Sequence, residues 1–403
     1  MIYKLLILLV ISILEITLSL GATAAEANKS VPQPQTPATL PQVPRADLPK
    51  AMAWSAYNLG TTGYNQAVAI GRVLKNTYGT TLRVVPGKND VSRLLPLMKR
   101  RVQFSANGSA TYFAQEGVEQ FASPKWGPLP LRLVFMSNGD SNQAIAVAAD
   151  TGIKTLTQLK GKRVPYVRGA PAVNVTTEAY LACAGLGWDD VVKVEFPGYG
   201  AMWNGIVNGQ IDAAYATTVS GPTRKLEASP RGIFWPPVPH ADTDCWQRVQ
   251  AKLPIVTPHM GTRGAGISAA NPHEGGTYPY PLLITLDSTA NELVYAVAAV
   301  VHQHYDDFKD ADPGAIGWAL ERQIFDWVVP FHAGSVSYLR QIGVWNDTLE
   351  AHNNGLIERQ SILQAAWKTY VKTTRKGPNF GAGWMAARAA ALESRNMDPV
   401  WRQ

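Results

Sequence analysis

Ala51-Met52-Ala53-Trp54-Ser55-Ala56-Tyr57-Asn58-Leu59-Gly60-Thr61-Thr62-Gly63 opens the part of the chain whose reading decides the fold. Ala51 to Leu59 reads as a strand, and Gly60-Thr61-Thr62-Gly63 as the turn that ends it. Ala67, Ile70, Gly71, Leu74 and Tyr78 then share one face at helical spacing. The pattern recurs. Thr81–Pro86 is a second strand, followed by the turn Gly87-Lys88-Asn89-Asp90. A short helix comes next around Leu94, Leu95 and Met98, with Pro96 an awkward interior residue. Val102–Ser105 is a third strand, ahead of Asn107-Gly108-Ser109 at another helix start. Strand, polar turn and helix, three times over, predict a parallel sheet in an α/β fold. Ligands of such sheets sit at the C-terminal strand ends, where these turns lie.

Further along, Leu131–Ser137 and Ala144–Ala149 are apolar runs that precede a second α/β unit. Lys162–Val167, Val192–Phe196 and Ile211–Tyr215 read as its strands. Gly169-Ala170-Pro171 turns into a helix carrying Thr176, Ala179, Tyr180 and Cys183 on one face, and Gly198-Tyr199-Gly200 opens another. Tyr280–Leu286 is a later strand and Ala290–Tyr305 an amphipathic helix. Residues 255–278, rich in Gly, Pro and His, read as a long loop, and 346–403 as a helical extension. The expected division is lobe I over 51–150, lobe II over 151–235, a return to lobe I over 236–345, and the extension.

The N-terminus has the three parts of a secretory signal peptide: Lys4, an apolar run Leu5–Leu20, and Ala22-Thr23-Ala24 as an exit. Glu15 within the run argues against an uncleaved membrane anchor. Cleavage near residue 25 predicts a periplasmic protein, and no Cys stands there to make it a lipoprotein. Six prolines over 26–50 read as an extended spacer, with the folded part starting near Ala51.

The chain has 403 residues, 46% hydrophobic and 17% charged, which excludes a disordered chain. Two cysteines exclude a multi-disulfide scaffold and a Cys-based zinc module. A bridge between Cys183 and Cys245 stays open, since export would place them in an oxidising compartment. The net charge of +7 is spread over separate basic clusters, such as Lys99-Arg100-Arg101, and not over one face, so no nucleic-acid partner is expected. Phosphate-loop, dinucleotide, nucleophile-elbow and metalloprotease motifs are all lacking. The seven histidines are scattered. No catalytic residue, metal or cofactor is expected.

Residues 51–345 resemble the solute-binding receptors of TRAP transporters, in the TAXI group (TRAP-associated extracytoplasmic immunogenic protein). The resemblance rests on ordered segments. Tyr57–Gly63 is similar to that group's first turn, and Gly152-Ile153-Lys154-Thr155-Leu156 with Leu159-Lys160-Gly161-Lys162-Arg163-Val164 to a shared passage. Gly169-Ala170-Pro171, Gly209–Ala214, Tyr278–Asp287, Pro330–Gly334 and Ile342-Gly343-Val344 follow in order. Ala172-Val173-Asn174 and Gly87-Lys88-Asn89 depart from the group's pattern at expected ligand turns, which implies a different solute.

The resemblance implies a type II periplasmic-binding-protein fold, two α/β lobes with the ligand cleft between them. It implies capture of a small organic anion, a carboxylate or amino-acid-like, by hinge closure and delivery to an ion-gradient-driven membrane permease. A receptor of an ABC importer is the alternative, and an exported enzyme or adaptor a third. The cleft edges are helix N-termini, which favour an anion. Gly60 and Gly63 admit close backbone approach, and Thr61, Thr62, Asn107, Ser109 and Asn174 offer neutral hydrogen bonds. Lys88 and Arg168 are candidate counter-charges. Tyr64, Tyr199, Tyr215 and Trp203 are candidate walls, Trp203 the one most suited to the core, and Ala170 marks the second lobe's turn.

Overall fold

A computed structural model describes residues 40–402 of the chain. The signal peptide expected over 1–25 and the first part of the spacer lie outside the described residues.

The first sheet is built from the opening repeats. β1 (Ala51–Ala56) pairs in parallel with β2 (Thr81–Pro86) and with β3 (Phe104–Asn107), as three strand–helix repeats require. α1 (Thr62–Tyr78) and α2 (Asp90–Met98) make the two crossovers. Ala67, Ile70 and Leu74 of α1 are buried, as the helical spacing predicts. α3 (Ala110–Glu116) starts directly after β3 and is buried throughout. β4 (Leu131–Met136) completes the outward pass.

The chain then crosses to a second lobe. β5 (Gln143–Ala148) enters it, followed by β6 (Arg163–Val167), α4 (Pro171–Cys183), β7 (Val192–Phe196), α5 (Tyr199–Val207), β8 (Ala213–Thr217), α6 (Gly221–Glu227) and β9 (Ile233–Phe234). β5 lies between β8 and β9, antiparallel to both. β6 and β7 pair in parallel, and Arg163 O accepts from Asp212 N at 2.9 Å beside β8. α7 (Thr243–Lys252) packs on α4, joined to it by a Cys183–Cys245 disulfide.

Residues 255–278 are not the loop that their composition suggests. β10 (Thr257–Gly261) and β11 (His273–Thr277) form an antiparallel hairpin. It belongs to the second lobe, where Asn142 Nδ2 donates to His273 O at 2.9 Å. Gly275 and Gly276 explain why alternation is missing. Side chains there would collide with the His273 ring and with Val256 and Tyr180.

β12 (Leu282–Leu286) returns to the first sheet between β3 and β4, antiparallel to both, giving the order β2-β1-β3-β12-β4. Two segments therefore cross between the lobes, and they run side by side. Tyr280 N donates to Ser137 O at 2.6 Å, and Ser137 N to Pro281 O at 2.8 Å. On these pairings we propose crossings at 137–142 and 278–281, in place of the divisions at 150 and 235. The fold class is the one expected, α/β with two lobes and a cleft between them.

α8 (Asn291–Gln303), α9 (Tyr305–Phe308) and α10 (Ala333–Gln341) cover the first sheet. The long α11 (Asp347–Thr373) and α12 (Phe380–Glu393) follow. They pack under α3 and are part of the first lobe. The ordered body also starts before Ala51. Leu48 is buried, Pro41 O accepts from Gln303 Nε2 at 2.8 Å, and Arg45 lies over the Tyr78 ring.

His332 caps α10. Its Nδ1 accepts the Gly334 N–H at 3.1 Å, which requires an unprotonated nitrogen. Burial, reinforced by Arg132, pushes its pKa down to about 4. The folded state thus resists a proton that the unfolded chain takes up near its ordinary 6.5. The stabilisation is complete above pH 6.5 and is lost as pH falls towards 4. Its full size is about 3 kcal/mol from the span between the two values. Urea midpoints measured across this window are expected to drop on acidification, and a His332→Asn variant, which keeps a capping acceptor, is expected to show a shallower drop.

Candidate functional site

Six strand-to-helix turns, three from each lobe, converge between the lobes, because in both lobes such a turn carries the chain from a strand end into the next helix. The cleft between them is nearly closed, with a cavity of about 40 Å³. The first lobe lines it with Tyr57, Thr61, Asp90, Arg93 and Gly108. The second lobe contributes Gln143, Ala170, Ala172, Tyr199, Tyr215 and Thr217. Tyr278 and Tyr280 come from the returning crossing segment.

Five tyrosines dominate the wall. Tyr57 and Tyr280 stack with ring centres 5.0 Å apart. Tyr215 donates to Gln143 Oε1 at 2.7 Å and shares a 2.8 Å hydrogen bond with Tyr278, whose hydroxyl reaches Ser109 Oγ at 3.3 Å. This chain of hydroxyls runs from one lobe to the other. Burial raises all five phenols above their ordinary value, so each stays a neutral O–H. The Tyr57 hydroxyl is buried with no partner.

Asp90 and Arg93 are the charged side chains on the wall. Both are buried, and they form an ion pair one turn apart on α2. The second oxygen of Asp90 crosses the cleft and accepts the Ala172 N–H at 2.8 Å, at the first turn of α4. Burial raises the Asp90 carboxyl above its ordinary range, opposed by Arg93 and by that N–H. The Arg93 guanidinium lies 3.9 Å from the Tyr57 ring centre, and its Nε is buried without a partner. The lobes meet at further points beside this pair. Asn89 Nδ2 donates to Arg168 O at 2.9 Å, Val91 N to Gly169 O at 3.1 Å, and Tyr199 N to Lys88 O at 3.0 Å. Gly60, in the left-handed region at φ 76°, sets its carbonyl 2.1 Å from where a side chain on Gly221 would begin. Two glycines thus let the lobes close.

A cleft closed from both lobes, walled by aromatic rings and holding unpartnered polar atoms, is the geometry of a site that encloses a small molecule. The sequence profile of the NMT1-like family matches residues 58–343, which takes in both lobes and the whole cleft. The chain belongs to the NMT1-like family. No curated protein sequence matches it. Among solved structures, it is similar to the alkanesulfonate-binding protein SsuA from Xanthomonas axonopodis pv. citri bound to MOPS. Identity is 16%, over 87% of this chain and 93% of that one, with a TM-score of 0.40. The periplasmic aliphatic sulphonate binding protein SsuA from Escherichia coli is 14% identical, over 87% and 89%, with a TM-score of 0.40. The amino acid ABC transporter substrate-binding protein AbpA from Streptococcus pneumoniae, bound to L-arginine, is 11% identical, over 66% and 96%, with a TM-score of 0.41.

In this NMT1-like chain the residues expected at the site fall into three groups. Thr61, Ala170, Tyr199 and Tyr215 line the cleft. A second set lies behind it. Thr62 bonds Asp312 and Gln66 within the first lobe. Gly63 backs the aromatic wall, since a side chain there would strike the Tyr57 ring. Ser109 holds Tyr278. Asn107 is fully buried, with Nδ2 on Ser105 and Oδ1 unpartnered. Asn174 spends both ends of its amide on the backbone of Val167. Tyr64 packs against the core, away from the cleft lining.

The candidate counter-charges form the third group, and neither lines the cleft. Arg168 is mostly exposed, with Glu195 3.8 Å away. Lys88 lies in a separate groove of about 430 Å³ with Trp203, Lys225 and Asn58, on the other side of Tyr199. Trp203 is buried in α5 and also edges that groove, its Nε1 unpartnered. The cleft's cation is Arg93. Its available signal was the Asp90/Arg93 spacing of three at a turn expected to meet ligand. The Tyr278-Pro279-Tyr280-Pro281 alternation was the matching signal for the crossing tyrosines. Among the described residues, no three His, Cys, Asp or Glu side chains converge on a metal-sized site.

Proposed function

We propose that the chain is an extracytoplasmic solute-binding receptor with no catalysis of its own. It closes its lobes over a small organic solute bearing a carboxylate and passes it to a membrane permease. One observation carries this reading. The polar side chains that converge on the cleft come from both lobes, and two of their atoms, the Tyr57 hydroxyl and Arg93 Nε, remain buried and unpartnered, so a small molecule is what they are suited to meet. Arg93, in place of Lys88 and Arg168, is the group for the solute's carboxylate, and the tyrosine hydroxyls serve its remaining polar atoms. Membership of the NMT1-like family supports the reading, and the similar structures are themselves solute-binding proteins. The disulfide and the signal-peptide pattern support an oxidising, extracytoplasmic site of action.

For the permease, we favour the ion-gradient-driven TRAP type, on the ordered segments that resemble TAXI receptors. An ABC importer is the second reading, in line with the ABC transporter substrate-binding protein among the similar structures. Reconstituting the receptor with the permease that it serves separates them. Uptake into vesicles that follows an imposed sodium gradient without ATP supports the first reading, and uptake that needs ATP supports the second.

The cleft itself is tested by mild unfolding of the purified chain and mass spectrometry of the small molecule released. That compound is expected to raise the melting temperature of the stripped, refolded protein. Replacing Arg93 by Met together with Asp90 by Asn, which leaves no unpaired buried charge, is expected to abolish the rise while the unliganded variant stays folded. An unchanged rise would refute Arg93 as the carboxylate's partner.

A further inference from the structure

We propose that Asp90 sets the charge of the solute: the cleft takes a molecule with no net charge, best a zwitterion of the amino-acid type, and rejects dicarboxylates. The inference rests on the receptor reading and narrows its substrate class. The two groups best suited to an anion here are the Arg93 guanidinium and the N-terminus of α4. One carboxylate of the chain itself engages both. Asp90 pairs with Arg93 through one oxygen and accepts the Ala172 N–H through the other. The wall therefore carries one positive and one negative charge, side by side and both buried.

A solute with net negative charge would set two anions against one cation where water is scarce, and like charges that close are disfavoured. A zwitterion adds one charge of each sign. Its carboxylate meets Arg93, which still has a buried, unpartnered Nε, and its cationic group meets Asp90. The sum stays zero. The neutral phenols around the pair supply hydrogen bonds and add no charge. The buried Tyr57 hydroxyl is also unpartnered, and the Tyr57 ring lies against the Arg93 guanidinium.

The test uses the stripped full-length protein and probes that differ in charge but little in shape, L-glutamine against L-glutamate, with succinate as a dianion. Melting shifts and titration calorimetry are read for the wild type and for Asp90→Asn, which retains the size of the side chain and an oxygen for the Ala172 N–H. The wild type is expected to prefer glutamine. The variant is expected to gain affinity for glutamate and succinate by roughly tenfold or more. The double variant Asp90→Asn/Arg93→Met is neutral again, reports on folding, and is expected to lose that gain. A wild type that prefers glutamate or succinate overturns the charge rule and leaves the receptor reading standing. If no probe binds the wild type, the variant decides alone, and a gain of acids supports the rule. No binding to either protein, with no small molecule released on unfolding, overturns both readings together.

Discussion

Replacing Glu116 by Gln is expected to cost about 3–5 kcal/mol of stability, the usual result of leaving a buried charge without its partner. Glu116 ends α3 and is fully buried. Arg359 of α11 grips it with two bonds, Nε to Oε1 at 2.8 Å and Nη2 to Oε2 at 2.9 Å. Arg388 of α12, itself fully buried, pairs with the same carboxylate. Its other donors are satisfied by Glu116 O at 3.0 Å, Pro399 O at 2.8 Å and Trp401 O at 3.0 Å. Neutralising Glu116 leaves Arg388 charged, dry and short of its counter-ion, because a guanidinium does not shed its proton. Arg359 keeps some access to water and suffers less.

The mechanism makes a second forecast. Removing Arg388 as well, as Glu116→Gln/Arg388→Met, is expected to recover a good part of the loss, since the fully buried orphaned charge is gone and only Arg359, which reaches water, lacks its partner. Denaturant midpoints of the wild type, the single variants and the double variant measure this directly. A double variant as unstable as the sum of the singles would refute the orphaned-charge account. The same triad explains the C-terminal extension. α11 and α12 hold the far end of a helix whose near end follows Gly108 on the cleft wall, and Trp384 Nε1 adds a 2.7 Å bond to Gly117 O there. Cutting the chain after residue 345 exposes Glu116 and the underside of α3, and the truncated protein is expected to be insoluble.

Why some of this was readable in the chain and some was not is a question of range. The three opening repeats declare themselves because each strand and helix carries its own period within a dozen residues. The strand-end turns then point to Thr61, Ala170, Tyr199 and Tyr215, all on the cleft wall. Asp90 and Arg93 are harder. Three apart on an amphipathic helix, they have the signature of a solvated surface pair. They are buried because the second lobe docks on the start of α2, and that contact links residues about eighty positions apart. Arg388 is hidden in the same way. It stands in an alanine-rich stretch whose local pattern shows a helix, while the partner that defines its role lies 272 residues earlier. The β10–β11 hairpin fails for a different reason. Its Gly-Gly pair serves close packing against His273 and Tyr180, so the strand has no alternation to detect.

Removing the disulfide is the other large effect expected. Cys183 ends α4 and Cys245 lies in the first turns of α7, 62 residues later. A closed loop of that length restricts the unfolded chain by about 4 kcal/mol in the loop-entropy account, and native bridges commonly contribute about 2–5 kcal/mol. The geometry gives the bond a particular place in the function. α4 begins at Ala170 and Ala172 on the cleft wall and ends at the bridge, so the crosslink braces the far end of a cleft helix in the second lobe, as Glu116 does in the first. Arg248 strengthens the same joint, donating to Ala182 O at 2.8 Å and Cys183 O at 2.6 Å. A Cys183→Ala/Cys245→Ala variant is therefore expected to unfold at markedly lower urea. Reductant should bring the wild type down to about the same midpoint and leave the variant unmoved. Because the bond constrains the second lobe internally and does not cross the cleft, solute affinity measured well below the transition is expected to change little. A wild type indifferent to reductant, with both thiols shown to be free afterwards, would refute the stabilising role. A large loss of affinity in the folded variant would mean that the bridge positions α4 at the site as well as holding the lobe together.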